Sequence, residues 1–355
     1  MGKQKKTILV FIGLLLVYLL FWPVDADPAA WQAQSAPEMK GEFEPNDYLQ
    51  DVEILGLNDG IGPEDIAVDE AGNMYAGYED GRIIKYDVHG NSLDVFVNTK
   101  GRPLGMDFDG EGNLIIADAV KGLLCADQDG NLTTLTTEVD GIPFKLTDDV
   151  DVAADSKIYF TDASSRYGIH DYRLDLMAHQ PYGRLLEYDP ETNITTTLLS
   201  GLYFANGIAV SLEGEFILVN ETSKYRVKKY WLKGANAGQS EILIDNLPGF
   251  PDGISSNGKN IYWIAIPALR KEIIENLADK PFVRKIILRL PEALQPAPDR
   301  YGFVLGIDGT GKVIHNLQYP SPESFSPITS VEEKKGVLYL GSLTYPGFAR
   351  ISVPE

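Results

Sequence analysis

From about residue 50 to the C-terminus, apolar and polar positions alternate in short runs broken by turn residues, a period-two pattern that predicts strands. Six segments share one register. They lead with Glu64-Asp65-Ile66, Leu104-Gly105-Met106, Asp148-Asp149-Val150, Asn206-Gly207-Ile208, Asp252-Gly253-Ile254 and Thr329-Ser330-Val331. Each continues through a turn rich in Gly, Asn, Asp or Lys into a second strand: "NMYAG", "NLIIA", "KIYFT", "EFILV", "NIYWI" and "VLYLG". These second strands are expected to begin at Met74, Leu114, Ile158, Phe216, Ile261 and Leu338. Third strands are read at 82–87, 122–127, 184–189 and 226–232.

The six leading positions are separated by 40, 44, 58, 46 and 77 residues. A four-stranded propeller blade takes roughly 40 to 50 residues, so the intervals predict an all-β, six-bladed β-propeller with two insertions. The propeller is assigned to residues 46–355 and the insertions to about 163–183 and 267–302. Helical periodicity is poor in these segments, and a sandwich or barrel ranks below a propeller.

The 355 residues include 34 Gly, 21 Pro and 18 Tyr, and 44% are hydrophobic, enough for one large buried core. A formal charge of −20 without a basic face argues against nucleic acid. Cys125 is the only cysteine, so it forms no intrachain disulfide and reads as a core thiol.

At the N-terminus Lys3, Lys5 and Lys6 precede the apolar run "TILVFIGLLLVYLLFW" and Pro23. Tyr18 and Trp22 suit a membrane interface and the lysines a cytoplasmic start. An uncleaved signal anchor over 7–24, after a stub of residues 1–6, is favoured over a removed signal. Residues 25–45 then read as a linker, and the propeller is expected outside the cytoplasm, periplasmic or extracellular/lumenal.

In a propeller the starts of the innermost strands converge on the central channel. The six leading residues are Glu64, Leu104, Asp148, Asn206, Asp252 and Thr329. Three carboxylates and an amide meeting there repel one another unless a cation lies between them, and hard oxygen ligands select Ca²⁺. Taken alone, Asn206-Gly207 and Asp252-Gly253 read as hairpin turns, and Glu64 and Asp148 as solvated loop charges. The shared register favours one metal site.

Residues 160–232, 247–266 and 327–353, with "FTDASSRYGIHDYRLDLMAHQPYGRLLEYDP" and "LPGFPDGISSNGKNIYWIAI" among them, resemble the strictosidine-synthase-like proteins. Within these, they are similar to the adipocyte plasma-membrane-associated type, which carries an N-terminal anchor. More distantly the pattern resembles the calcium-dependent lactonases of the paraoxonase and gluconolactonase families. The resemblance implies that Glu64, Asp148, Asn206 and Asp252 hold a catalytic calcium, with Asp148 where those families have Asn. It also implies a second, structural calcium on Asp65, Asp149 and the carbonyl of Met106. That gives the adjacent pair Glu64 and Asp65 separate roles.

Two departures limit the resemblance. The glutamate that the synthases use as acid and base matches Thr329, so alkaloid condensation is not expected. The second-blade histidine of paraoxonases matches Leu104. The chain is therefore read as a membrane-anchored, Ca²⁺-dependent hydrolase acting on a small ester or lactone, with Asp252 or Glu64 accepting a proton. The alternative is a non-catalytic binding propeller that uses the ion structurally.

Other signals are weaker. Gly306 to Lys312 resembles a phosphate loop, but Val313 stands where Ser or Thr is needed, and a hairpin turn is expected. No histidine has zinc spacing and no nucleophile elbow occurs. His170 could overhang the channel or sit at the surface. Asn131, Asn193 and Asn220 head glycosylation sequons. Residues 272–294 form an amphipathic, partly helical insertion that reads as a lid, a membrane-facing element or simple packing.

Overall fold

The computed structural model describes residues 3–354. Six four-stranded antiparallel sheets surround one axis. Their inner strands are Ile66–Val68, Pro103–Phe108, Thr147–Val152, Ala205–Val210, Ile254–Ser256 and Ser330–Lys334. Each packs against the inner strands on either side, and the sixth meets the first, so the ring closes. The chain forms the six-bladed propeller expected from the repeat.

Closure of the last blade comes from the other end of the chain. Glu53–Leu55 pairs antiparallel with Phe348–Ser352 and supplies the outer strand of blade six. Glu53 also meets the Arg350 guanidinium at 2.7 Å. Second strands begin at Met74, Leu114, Ile158, Phe216 and Ile261 as read, but the sixth begins at Val337 rather than Leu338. There Lys335 and Gly336, at φ 53° and 80°, make a two-residue turn whose twist matches the flanking strands, and Lys334 pairs directly with Val337.

Turn chemistry repeats in blades one and two. Asp69, Asp87, Asp109 and Asp127 each accept the backbone N–H and the side-chain amide of the Asn four residues on. The Gly before each Asn takes positive φ, between 80° and 91°. Asp308 pins its turn similarly, accepting from Thr310 and Lys312, so the phosphate-loop lookalike is a hairpin.

Both insertions lie between the second and third strands, in blade three (after Asp162) and blade five (after Ala265). Second strands run antiparallel to the inner ones, so both insertions leave from the end where the inner strands begin. They carry the helices Tyr172–Ala178 and Pro281–Leu288. The N-terminal helix Lys3–Phe21 is apolar, long enough to cross a membrane and has no buried residue.

Candidate functional site: a carboxylate cluster at the head of the channel

An ideal strand would turn Glu64 and Asp65, or Asp148 and Asp149, to opposite faces. The inner strands of blades two to five avoid this with irregularities at their heads. Register shifts between Pro103 and Met106, Thr147 and Val150, and Ala205 and Ile208 place two residues opposite one. In blade five Asp252 N–H and Gly253 C=O both pair with Ala265. A bulge of this kind re-aims side chains. Leading residues here crown the channel while the residues after them point down it.

The glycines of these pairs follow from the same geometry. Asn206-Gly207 lies inside a strand and Asp252-Gly253 at the entry to one, so the hairpin-turn reading is wrong for both. Neither glycine has positive φ. A Cβ on Gly207 would press on Ile254 N and lie 2.5 Å from Asp252 O. On Gly253 it would lie 2.7 Å from Thr329 O, and on Gly105 it would overlap the Asp149 carboxylate. These glycines are set by the close approach of the next inner strand.

Glu64, Asp148, Asn206 and Thr329 are buried, and Asp252 is partly so. Burial, then the charges of Asp252 and Asp65, hold the Glu64 carboxyl well above its usual range; Arg102 and Thr329 oppose this. Asp148 is raised by burial and then by Glu64 and Asp252. Asp252 is pushed up to about 7 by burial, tempered by the Asn206 amide. The structure thus brings these four residues into one electrostatic group. Leu104 and Thr329 complete the ring, and the Thr329 hydroxyl donates to the Glu64 carbonyl at 3.1 Å.

Sequence reasoning missed two supports. Arg102 is buried beside Glu64 and donates to Gly62 O at 2.8 Å and Gly77 O at 3.3 Å. Asn220, read as a sequon, is fully buried, and its amide donates to Asp252 O at 2.6 Å. Glycosylation there is incompatible with the fold. Its Oδ1 has no partner. Further buried carboxylates fix the approach to Leu104, Asp148 and Asn206: Asp118 accepts from Arg102 N, Asp162 from Leu146 N and Glu221 from Tyr203 N.

Below this level the channel carboxylates stitch blade to blade. Asp65 accepts from Met106 N at 2.9 Å, Asp149 from Ile208 N at 2.8 Å, Asp107 from Val152 N at 2.9 Å and Asp151 from Val210 N at 2.7 Å. Asp65 and Asp149, read from the resemblance as ligands of a second ion with Met106, therefore each have a structural partner in the next inner strand. Met106 engages Asp65 through its N–H. Asp107, Asp151 and Glu332 were not singled out from sequence. They line, with Asp65 and Asp149, a cavity of about 1020 Å³ that runs from Glu64, Asp148 and Asn206 to the opposite mouth.

Over the head of the channel lies an apolar cap. Leu104, Leu146 and Phe204 pack with Ile169, Tyr172 and Leu176 of the blade-three insertion and with Leu343. Burial raises the Tyr172 phenol, Arg173 opposes this, and the charge of Asp252 adds to the rise. His170, on the same insertion between Ile169 and Tyr172, is exposed.

Among the described residues no three His, Cys, Asp or Glu side chains are already disposed as a metal cage. The donor chemistry nonetheless fits a hard cation: Glu64, Asp148 and Asp252 are held together, the Arg102 guanidinium offsets the charge at Glu64, and Asn206 adds a neutral oxygen.

Residues 148–235 match the family model described as strictosidine synthase, and residues 41–86 that described as strictosidine synthase-like, N-terminal. Protein STRICTOSIDINE SYNTHASE-LIKE 6 of Arabidopsis thaliana is 35% identical over 350 residues, covering 96% of this chain and 93% of that protein. The chain belongs to the strictosidine synthase-like family. The adipocyte plasma membrane-associated protein of Salmo salar is 32% identical over 387 residues, covering 100% and 92%. Among solved structures, a gluconolactonase from Xanthomonas campestris superimposes with a TM-score of 0.62 at 15% identity, covering 93% of this chain and 99% of that one. Regucalcin from Agrobacterium tumefaciens, described as a calcium-binding protein, gives 0.58 at 14%, covering 85% and 91%. At these identities the structural likeness establishes the propeller fold.

Proposed function

We propose that this member of the strictosidine synthase-like family is a membrane-anchored hydrolase of esters or lactones that depends on Ca²⁺ held by Glu64, Asp148, Asn206 and Asp252. The observation carrying this reading is the group of three carboxylates at the head of the channel, which oppose one another's ionisation beneath an apolar cap. The superimposable propellers, a gluconolactonase and a calcium-binding protein, support it, as does the membrane-associated relative.

When bound, calcium would supply the polarisation of the substrate carbonyl. The chain's own residues do the rest. Leu104, Phe204 and Tyr172 offer an apolar wall for the acyl part and exclude bulk water. Asp252, whose carboxyl burial pushes up to about 7, would be favoured in its ionised form by a bound cation and accepts the proton of the attacking water. Glu64 is the second candidate for that role. Asn220 and Thr222 fix Asp252 by bonding the carbonyls of Asp252 and Pro251, at 2.6 and 2.7 Å.

The rival reading, a calcium-stabilised binding propeller, is favoured by one observation: Leu104 and Thr329 bring no acid or base to the ring. The test is hydrolysis of a panel of aryl esters and lactones by the calcium-loaded full-length protein. We expect turnover, reduced by about 10² or more in Asp252→Asn at saturating calcium. No hydrolysis anywhere on the panel transfers the assignment to the binding propeller.

The same reading sets Lys3–Phe21 across a membrane with the propeller outside the cytoplasm. Retention in the membrane after carbonate washing tests the anchor, and a soluble chain starting near Asp27 overturns it.

A further inference from the structure

Residues 22–35 do not leave the N-terminal helix as a free tether. They run along the blade-five insertion and are fastened at successive points by its arginines. Arg289 donates to Leu19 O at 2.9 Å and to Trp22 O at 2.6 Å, and Tyr18 OH donates back to Arg289 O at 3.1 Å. Arg284, fully buried, bonds Ala29 O and Met177 O and lies 4.5 Å from the Trp31 ring. Trp31 N–H reaches Ala278 O at 3.1 Å, and Arg270 holds Gln34 O. The helix end and the insertion are thus one packed unit.

That attachment constrains where the insertion can lie. With Lys3–Phe21 spanning a bilayer, Tyr18 and Trp22 sit at its boundary, and Arg289, bonded to both residues, sits at the same depth. On helix Pro281–Leu288 Arg284 faces inward, and Phe282, about 200° round the helix from it, faces away. Phe282 lies roughly 10 Å along the helix from Arg289. It is 56% exposed, and in the same insertion Ile273 and Leu294 are 57% and 68% exposed. Large apolar side chains beside a membrane helix find their partner in the interface, where such a face sinks ~5–10 Å.

We infer that the blade-five insertion docks in the membrane interface through Ile273, Phe282 and Leu294, so that the head of the channel faces the bilayer and the opposite mouth faces away. The occupant of this surface is lipid acyl chain and not anionic headgroup: the contact residues are uncharged, and the chain carries −20. This rests on the reading of Lys3–Phe21 as an anchor. It goes beyond that reading by fixing the orientation of the propeller.

The test uses the full chain in phosphatidylcholine vesicles, with Cys125→Ser as background and one environment-sensitive fluorophore at a time on Ile12→Cys, Phe282→Cys, Leu294→Cys or Glu111→Cys. Glu111 is exposed at the opposite mouth. Expected is a blue shift, with quenching by shallow spin-labelled lipid, at 282 and 294, deep quenching at 12 and neither effect at 111. Arg289→Ala should weaken the signal at 282 and spare that at 12. Quenching at 12 with 282 and 294 as solvent-exposed as 111 overturns the docking and leaves the anchor standing. Loss of quenching at 12 overturns the anchor and the docking with it.

Discussion

Gly207→Ala isolates the physical reason for the glycines at the head of the inner strands. The added Cβ meets backbone, not side chain: it presses on Ile254 N and lies 2.5 Å from Asp252 O and 2.6 Å from Gly253 C. A flexible side chain could swing away, but these atoms are held by Gly207 N→Asp252 O at 3.0 Å and Gly253 N→Thr329 O at 2.8 Å. The substitution must push blades four and five apart, at the upper end of overpacking costs, about 3 kcal/mol. Unfolding entropy near 2.1 cal/mol/K per residue gives ~0.7 kcal/mol/K for 355 residues, so the melting temperature should fall by about 4 °C. Gly110→Ala is the matched control. Its Cβ meets nothing within 4 Å and its φ is not positive, so it should be neutral or stabilise by up to about 1 kcal/mol. Calorimetric melting of both variants in calcium-free buffer checks this. Melting of Gly207→Ala within about 1 °C of Gly110→Ala would refute the close-approach argument.

Two further outcomes follow from buried charges. Asp162 and Arg184 form an ion pair at 2.6 Å with both side chains buried, so Asp162→Asn should cost about 3–5 kcal/mol by stranding the guanidinium; denaturant midpoints test this, and a loss under about 1 kcal/mol would contradict it. Asp175 is pushed up to about 7 by burial; Ser164 tempers the shift, but neither carboxyl oxygen completes a hydrogen bond. Its protonated form favours the fold, so that contribution is full below the unfolded value near 3.9 and is lost as pH rises through about 7. Asp175→Asn should therefore flatten the decline in melting temperature between pH 4 and 8, and an unchanged slope counts against the assignment.

Legibility in the sequence followed the physics of each feature. Inner and second strands are half-buried or buried ribbons with turn punctuation, so their register repeated visibly, and the two insertions appeared as lengthened intervals. The closing strand Glu53–Leu55 is three residues long, too short to carry a pattern. Alternation marks two faces of a strand but does not mark a bulge, so it could not show why Asp148 and Asp149 both serve the channel. Asn206-Gly207 and Asp252-Gly253 carry turn chemistry, yet a neighbouring strand 2.5 to 2.7 Å from a missing Cβ selects the glycine. That contact is long-range and leaves no local trace. Arg102 and Asn220 were hidden for the same reason: one looks like a loop cation and the other like a sequon until the ring brings Glu64 and Asp252 against them.

On the proposed reading, Glu64, Asp148, Asn206 and Asp252 together hold one calcium ion. Crystals of the protein grown with calcium, with anomalous differences collected before and after exchange for a lanthanide, test it most directly. A single strong peak is expected within coordination distance of all four side chains, absent from Asp252→Ala crystals prepared in the same way. A well-ordered channel head with no peak there in the wild type would contradict it.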